Sequence, residues 1–211
     1  RDWRFRSTPQ EGLGGREVAI PRGRMVGGSG SINSMVWFRG RAADFDAWDV
    51  DGWRWRDVAP VFDEVEEAVR PARLRGAHPL TEAFANVFPQ NDPGAIPSPD
   101  REGSGVFAFN MSRGRRRSAA DVFLRPALET GDVHLLTGRD VKRLHVRNGR
   151  ARAVEFSDGT VLHARRGVVL SAGSIGSPAI LMASGIGPAE DVRAAGIDPV
   201  LDAPDVGANL H

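Results

Sequence analysis

Residues 133–173 read VHLLTGRDVKRLHVRNGRARAVEFSDGTVLHARRGVVLSAG, and their pattern decides the fold. VKRLHVR (141–147) and RARAVEF (150–156) flank Asn148-Gly149, while RARAVEF and TVLHAR (160–165) flank Asp158-Gly159. Asn-Gly and Asp-Gly between alternating runs are the strongest short-range hairpin cues, because these residues tolerate the left-handed backbone of tight turns. The reading is a β-meander, opened by VHLLT (133–137), that feeds a buried strand from Val168 to Ala172. A Gly/Ser turn and a short buried helix, Pro178 to Ala183, follow. A strand running into a helix through small residues has the form of a junction in an α/β sheet, where ligands collect at the carboxyl ends of strands. A close-packed corner uses the same small residues.

The segment from Gly167 to Ala189 carries no charge and is long enough to cross a bilayer. It also holds five Gly, four Ser and two Pro, with Pro178 near its middle. A lipid-facing helix is rarely so interrupted, so no membrane span is expected.

Upstream, the chain is less regular. Residues 1–20 are polar, with a Gly-rich loop at Glu11 to Gly15. PRGRMVGGSGSINSMVWFRG (21–40) is a Gly/Ser loop followed by an apolar run, and Asp44 to Asp57 is acidic and Trp-rich. Asp57 is the expected N-cap of a helix to about Val69, with Pro60 in its first turn. Val58, Phe62, Val65 and Val69 give it one apolar face. Prolines and glycines crowd the stretch from Pro89 to Gly114, and Ser118 then caps a short helix over AADVFLRPAL (119–128).

Composition narrows the chemistry. The chain has 211 residues, with 28 Lys+Arg against 27 Asp+Glu, 25 Gly, 14 Pro and no Cys. That length is one large domain or two small ones. A net charge of +1 gives no case for nucleic acid as a partner. Without Cys there are no disulfides, thiolate zinc sites, iron–sulfur ligands or thiol nucleophiles. A Cys-free chain with no leader reads as cytoplasmic. The start at Arg1 and the end at His211 suggest an interior piece of a longer protein.

The residues offer few candidates for chemistry. Gly27-Gly28-Ser29-Gly30-Ser31 can turn backbone N–H groups toward a phosphate, although a plain tight turn has the same composition. Neither the dinucleotide fingerprint G-x-G-x-x-G nor a phosphate-loop G-x-x-x-x-G-K-[ST] occurs. His134, His145 and His163 lack metal-ligand spacing, and a calcium loop around Asp49 to Gly52 would need its twelfth ligand from Val58. No metal is expected. No G-x-S-x-G nucleophile elbow exists. Arg113, Arg115, Arg116 and Arg117 read as a solvated basic loop. The residues alone therefore reach an α/β chain with two Gly/Ser junctions suited to a phosphate-bearing cofactor, and no reaction.

Four segments carry a resemblance. GRMVGGSGSINSMVWFRGRAADFD (23–46) and GSIGSPAILMASGIG (173–187) resemble the two signatures of the glucose–methanol–choline (GMC) oxidoreductases. GRRRSAADVFLRPAL (114–128) resembles the family's Gly-x-Arg-x-Ser segment, and PDVGANLH (204–211) its Val-Gly-x-Asn-Leu segment. On these the chain is identified as a member, nearest to the choline-dehydrogenase-like bacterial ones. The resemblance implies an α/β fold: a Rossmann-like FAD-binding domain, incomplete because its first βαβ unit is missing, with a β-meander and an inserted substrate-binding region. The implied division gives 1–60 and 133–211 to the FAD side and 61–132 to the substrate side.

The implied activity is oxidation of a CH–OH group, with hydride transfer from a small-molecule alcohol to flavin N5 giving an aldehyde or ketone. The electron acceptor (oxygen, a quinone or a dye-type molecule) stays open. The expected cofactor contacts are Gly23, Gly27, Gly28, Ser29, Asn33, Ser34, Met35 and Val36 around the first signature. Val141, at the start of a meander strand, and Ala172 and Gly173, at the second signature, complete the set. Ile32 stands where some members tether FAD through a histidine, so the FAD is expected to be non-covalent. No catalytic residue is assigned, because the family's histidine base is expected beyond residue 211. The family's Gly-Pro-Leu strand is not recognisable around Ala77 to Leu80, within a shortened 71–112 region. A GMC-type lyase with structural flavin and a truncated non-catalytic remnant are the alternatives.

Overall fold

The Asn-Gly hairpin forms where its turn residues put it. The computed structural model describes residues 1–73, 76, 78–87, 104 and 106–210, which form two compact units, Arg1–Leu135 and Leu136–His211.

The first unit is built from short elements. They are β1 (Phe5–Arg6), β2 (Ala19–Ile20), β3 (Val36–Trp37), α1 (Ala42–Asp46), α2 (Trp55–Val69), β4 (Ala72–Arg73) and α3 (Pro79–Val87). After these come β5 (Ala108–Phe109), β6 (Met111–Ser112), β7 (Arg115–Arg116), a π-helical turn (Ala120–Leu124) and α4 (Arg125–Glu129). β1 pairs with β2, and β5 is the centre of a sheet ordered β3-β5-β4, all antiparallel. β6 and β7 form a hairpin, Met111 facing Arg116, around Arg113 and Gly114 at positive φ.

The expected helix to Val69 is α2, and Val69 is buried. It starts at Trp55, two residues before Asp57, because Asp46 Oδ1 accepts the Trp55 N–H at 2.9 Å. Asp57 therefore lies in the first turn and is not the cap. On the apolar face, Phe62 meets Phe45 and Trp55 at centroid distances of 5.6 and 5.9 Å. Glu66 gathers Trp37 Nε1 (2.8 Å) and Arg39 Nε (2.7 Å), so β3 and the chain after it are fastened to α2. The guanidinium of Arg39 holds the Glu66 carboxyl below its ordinary value.

The second unit contains β8 (Val141–Arg147), β9 (Arg150–Phe156), β10 (Val161–His163), α5 (Gly173–Ala183), β11 (Ile186–Gly187), α6 (Ala189–Ala194) and β12 (Leu201–Asp202). The meander order is β10-β9-β8, with Asn148 and Gly149 at φ 53° and 69° in the first turn, the signature of a type I′ hairpin. β11 and β12 pair in parallel, joined through α6. Ser184 Oγ accepts the Leu144 N–H at 2.7 Å and donates to Ile180 O at 2.5 Å, which locks α5 onto β8.

Several expectations fail. Residues 133–137 and 168–172 are not strands, and Val169 is 92% exposed. A β-strand exists only through a hydrogen-bonded ladder, and neither segment has a ladder partner among the described residues. The helix placed at Pro178 starts at Gly173, and none of its residues is fully buried. The helix after Ser118 opens as a π turn. Ser118 does cap it: its Oγ accepts the Asp121 N–H at 3.4 Å, and Asp121 Oδ2 in return accepts from Ser118 N and Oγ (3.0 and 2.7 Å). Ala77, residues 88–103 and 105 of the Gly/Pro-rich stretch, and His211 lie outside the described residues. Leu80 falls in α3. Among the described residues no helix is long and apolar enough to cross a membrane.

Two predictions follow from the second unit. Ser184→Ala leaves the buried Leu144 N–H without its acceptor and is expected to destabilise the chain by about 1–3 kcal/mol, read from urea unfolding. Glu155, only 8% exposed, accepts from Arg143 (2.8 Å), His145 (2.8 Å) and Lys142 (3.1 Å). Those donors, Arg143 foremost, hold its carboxyl at about 2 against an ordinary 4.5. A depressed folded-state pKa adds stability above the unfolded value, lost as pH falls through the folded one. Thermal midpoints should thus fall between pH 4.5 and 2, and Glu155→Gln should flatten that fall.

Candidate functional site

The Gly/Ser loop closes on itself because two positions cannot carry a side chain. A Cβ on Gly23 would lie 2.2 Å from the Gly28 carbonyl oxygen and 2.5 Å from its carbon. The Gly23 N–H donates to Ser29 Oγ at 3.1 Å, so the two ends of the loop touch backbone to backbone. Gly27, at φ 89°, would place a Cβ 2.3 Å from Ser31 Oγ and 3.2 Å from Ala120 Cβ. The chain then winds into a single 3₁₀ turn, Gly28–Ser31, where the expectation was a Gly/Ser loop followed by an apolar run. A side chain on Gly28 or Gly30 would meet nothing within 4 Å. The backbone there is open to a ligand. Leading N–H groups of a helical turn lie outside its own ladder.

Beyond the turn, Asn33 Oδ1 accepts the Met35 N–H at 3.1 Å, and Met35 O accepts the Asn110 N–H at 2.9 Å. Met35 is thereby held at φ 63°, an uncommon conformation for a residue with a side chain. Val36 opens β3 and pairs with Phe109. Ile32 and Ser34 are exposed.

Arg116 joins this group from 83 residues away: Nη1 donates to Gly30 O at 3.0 Å and to Asn33 Oδ1, and Nη2 to Asn33 O at 2.6 Å. Arg117 donates to Ala68 O at 3.1 Å near the end of α2. The expectation of a solvated basic loop therefore fails for both. They are half-buried and bonded to backbone carbonyls, whereas Arg113 and Arg115 are exposed. The signal was present in the Gly-x-Arg-x-Ser segment, whose constrained arginine is Arg116. Ser118 and Asp121 brace the loop from below, and the Ser118 hydroxyl holds the Asp121 carboxyl below its ordinary value. A hollow of about 340 Å³ lies here, lined in part by Met25, Val26, Ser31, Ser118 and Leu124.

Thus Gly23, Gly27, Gly28, Ser29, Asn33, Ser34, Met35 and Val36 come together in the first unit. Val141, Ala172 and Gly173 belong to the second. There Ala172 is the N-cap of α5, its N–H given to Ser177 Oγ at 3.0 Å, and Gly173 is the first helical residue at φ 83°, with open space where a Cβ would project. Val141 is the first residue of β8 and faces Phe156. Among the described residues no group of three or more His, Cys, Asp or Glu is placed to hold a metal.

Gly23→Ala forces the loop apart against its own backbone and is expected to cost about 1–3 kcal/mol. Gly30→Ala has room and should stay within about 0.5 kcal/mol. Chemical unfolding of the two variants side by side checks the contrast.

The chain is 38% identical over 233 residues to the oxygen-dependent choline dehydrogenase of Brucella ovis, covering 99% of this chain and 42% of that protein. A GMC-type oxidoreductase of Mycobacterium tuberculosis is 36% identical over 241 residues, covering 99% and 44%. Among solved structures, pyridoxine 4-oxidase from Mesorbium loti superposes with a TM-score of 0.85 at 31% identity, over 97% of this chain and 45% of that one. The chain thus spans less than half the length of the relatives it matches. The family profile described as GMC oxidoreductase, a family of FAD-binding α/β enzymes, matches residues 10–211, and this chain belongs to that family.

Proposed function

We propose that this chain is part of an FAD-dependent oxidoreductase that oxidises the CH–OH group of a small-molecule alcohol to an aldehyde or ketone. The observation that carries the reading is the closed Gly23–Ser31 loop, with space for a ligand to approach the backbone at Gly28 and Gly30, a form suited to an anionic cofactor. The donors fit the group: backbone N–H and serine hydroxyls suit a pyrophosphate and a flavin edge. When bound, FAD supplies a hydride acceptor at flavin N5. Two electrons and one proton leave the alcohol carbon as hydride, and the hydroxyl proton leaves to a base. No residue of this chain is assigned as that base.

In this reading Gly23, Gly27, Gly28, Ser29, Asn33, Ser34, Met35 and Val36 hold the cofactor from the first unit. Val141, Ala172 and Gly173 hold it from the second. Residues 1–60 and 133–211 serve the FAD side, and 61–132 the substrate side. The aliphatic Ile32 has no atom that could be joined to a flavin, so the cofactor is held without a covalent tether. Relatives named as a choline dehydrogenase and a pyridoxine 4-oxidase support a small polar alcohol as substrate. The electron acceptor, whether oxygen, a quinone or a dye-type molecule, is not assigned.

The test uses the protein expressed from its own gene. Anaerobic addition of small alcohols is expected to bleach the visible flavin band, and acid precipitation to leave the flavin in the supernatant. Bound flavin that no alcohol bleaches would overturn the oxidoreductase reading. Flavin carried down with the acid pellet would overturn the non-covalent one.

A further inference from the structure

The geometry points to Arg116 as the positioning residue that turns the Ser34 peptide N–H of the cofactor loop away from the protein and toward its ligand, an inference that rests on the flavin reading above. The β6–β7 hairpin folds Arg116 back so that its guanidinium meets the loop. There Nη2 pulls the Asn33 carbonyl toward Arg116 at 2.6 Å. The peptide that follows is trans, as every described peptide is, and a trans peptide sets C=O and N–H on opposite sides. Drawing in the Asn33 oxygen therefore directs the Ser34 N–H the other way. Among the described residues that N–H has no acceptor, and Ser34 is exposed. A donor so presented is available to a flavin edge or a phosphate.

A second arm runs through the Asn33 side chain. Its Oδ1 takes a hydrogen bond from Arg116 Nη1 and another from the Met35 N–H. With Met35 O held by Asn110, both ends of a left-handed residue are pinned. Such a conformation costs free energy and persists only where surrounding contacts over-determine it. The guanidinium holds the Asn33 end of that corner and, through Gly30 O, the 3₁₀ turn.

The charge has a part as well as the shape. All three acceptors of Arg116 are neutral amide oxygens, and no carboxylate pairs with it among the described residues. Its positive charge is therefore left un-neutralised beneath a loop that faces an anion, where it adds to the field of the peptide dipoles.

The experiment compares Arg116→Ala, Arg116→Lys and Arg115→Ala with the wild type, each as the full protein expressed from its own gene. FAD is removed and titrated back. The readouts are the FAD Kd, the fine structure of the bound flavin spectrum, and the rise in thermal midpoint that FAD produces. Arg116→Ala should weaken FAD binding about ten- to a hundred-fold and shrink the FAD-induced thermal rise. Added guanidinium ion should restore part of both. Arg116→Lys should fall between, since one ammonium cannot hold two carbonyls in a fork. Arg115→Ala should match the wild type.

Should Arg116→Ala prove unfolded, the lysine variant decides on the same readouts. An apoprotein destabilised by the change but binding FAD with wild-type Kd and spectrum would reduce Arg116 to a structural role and overturn the inference alone. A wild-type protein that binds no FAD would remove the flavin reading, and this inference with it.

Discussion

The cofactor loop of the first unit depends on a long-range contact, the guanidinium of Arg116 against Gly30 and Asn33, 83 or more residues away along the chain. Closing so large a loop costs conformational entropy that short-range contacts do not. The contact is repaid because an arginine presents several donors in a rigid plane and meets two carbonyls and an amide oxygen at once. Neighbouring elements serve that meeting. The Arg113-Gly114 turn aims β7, and Arg117, the residue after that strand, ties the chain to the end of α2. The Ser118–Asp121 cap starts the π turn that supports the loop at Gly27.

The loop is made from small residues, and its glycines differ in what surrounds them. Gly23 has no side chain because the Gly28 carbonyl occupies that space, and Gly27 because Ser31 and Ala120 do. Gly28 and Gly30 face open space, so their lack of side chains leaves the backbone bare. The same residue type thus has two physical duties within eight positions, close packing on one side and ligand access on the other.

In the second unit the organising contact is polar and buried. Ser184 joins the strand that carries Leu144 to the helix that ends at Ala183, so the helix start at Ala172 and Gly173 is carried on a braced element. Glu155 is covered by Lys142, Arg143 and His145 of its own sheet. Its charge is tolerated near the core because the carboxylate is hydrogen-bonded and paired there.

Some of this was legible in the residues themselves. The Asn-Gly and Asp-Gly turns set the meander, since turn type follows from local φ/ψ preference. The periodic Val58–Val69 face set α2, and the signature segments marked the loop and the helix start. What local pattern could not carry was anything decided by a distant partner. The apolar runs at 133–137 and 168–172 read as strands, but strands need a ladder, and apolar sequence does not say whether one is alongside. Asp57 looked like a cap, yet Asp46 reached the Trp55 N–H first. The arginine run read as solvated because nothing nearby in sequence could bond it. Only the tertiary fold brings Gly30 and Asn33 to Arg116, because hydrogen-bond acceptors are chosen by distance in space, and spacing along the chain does not record it.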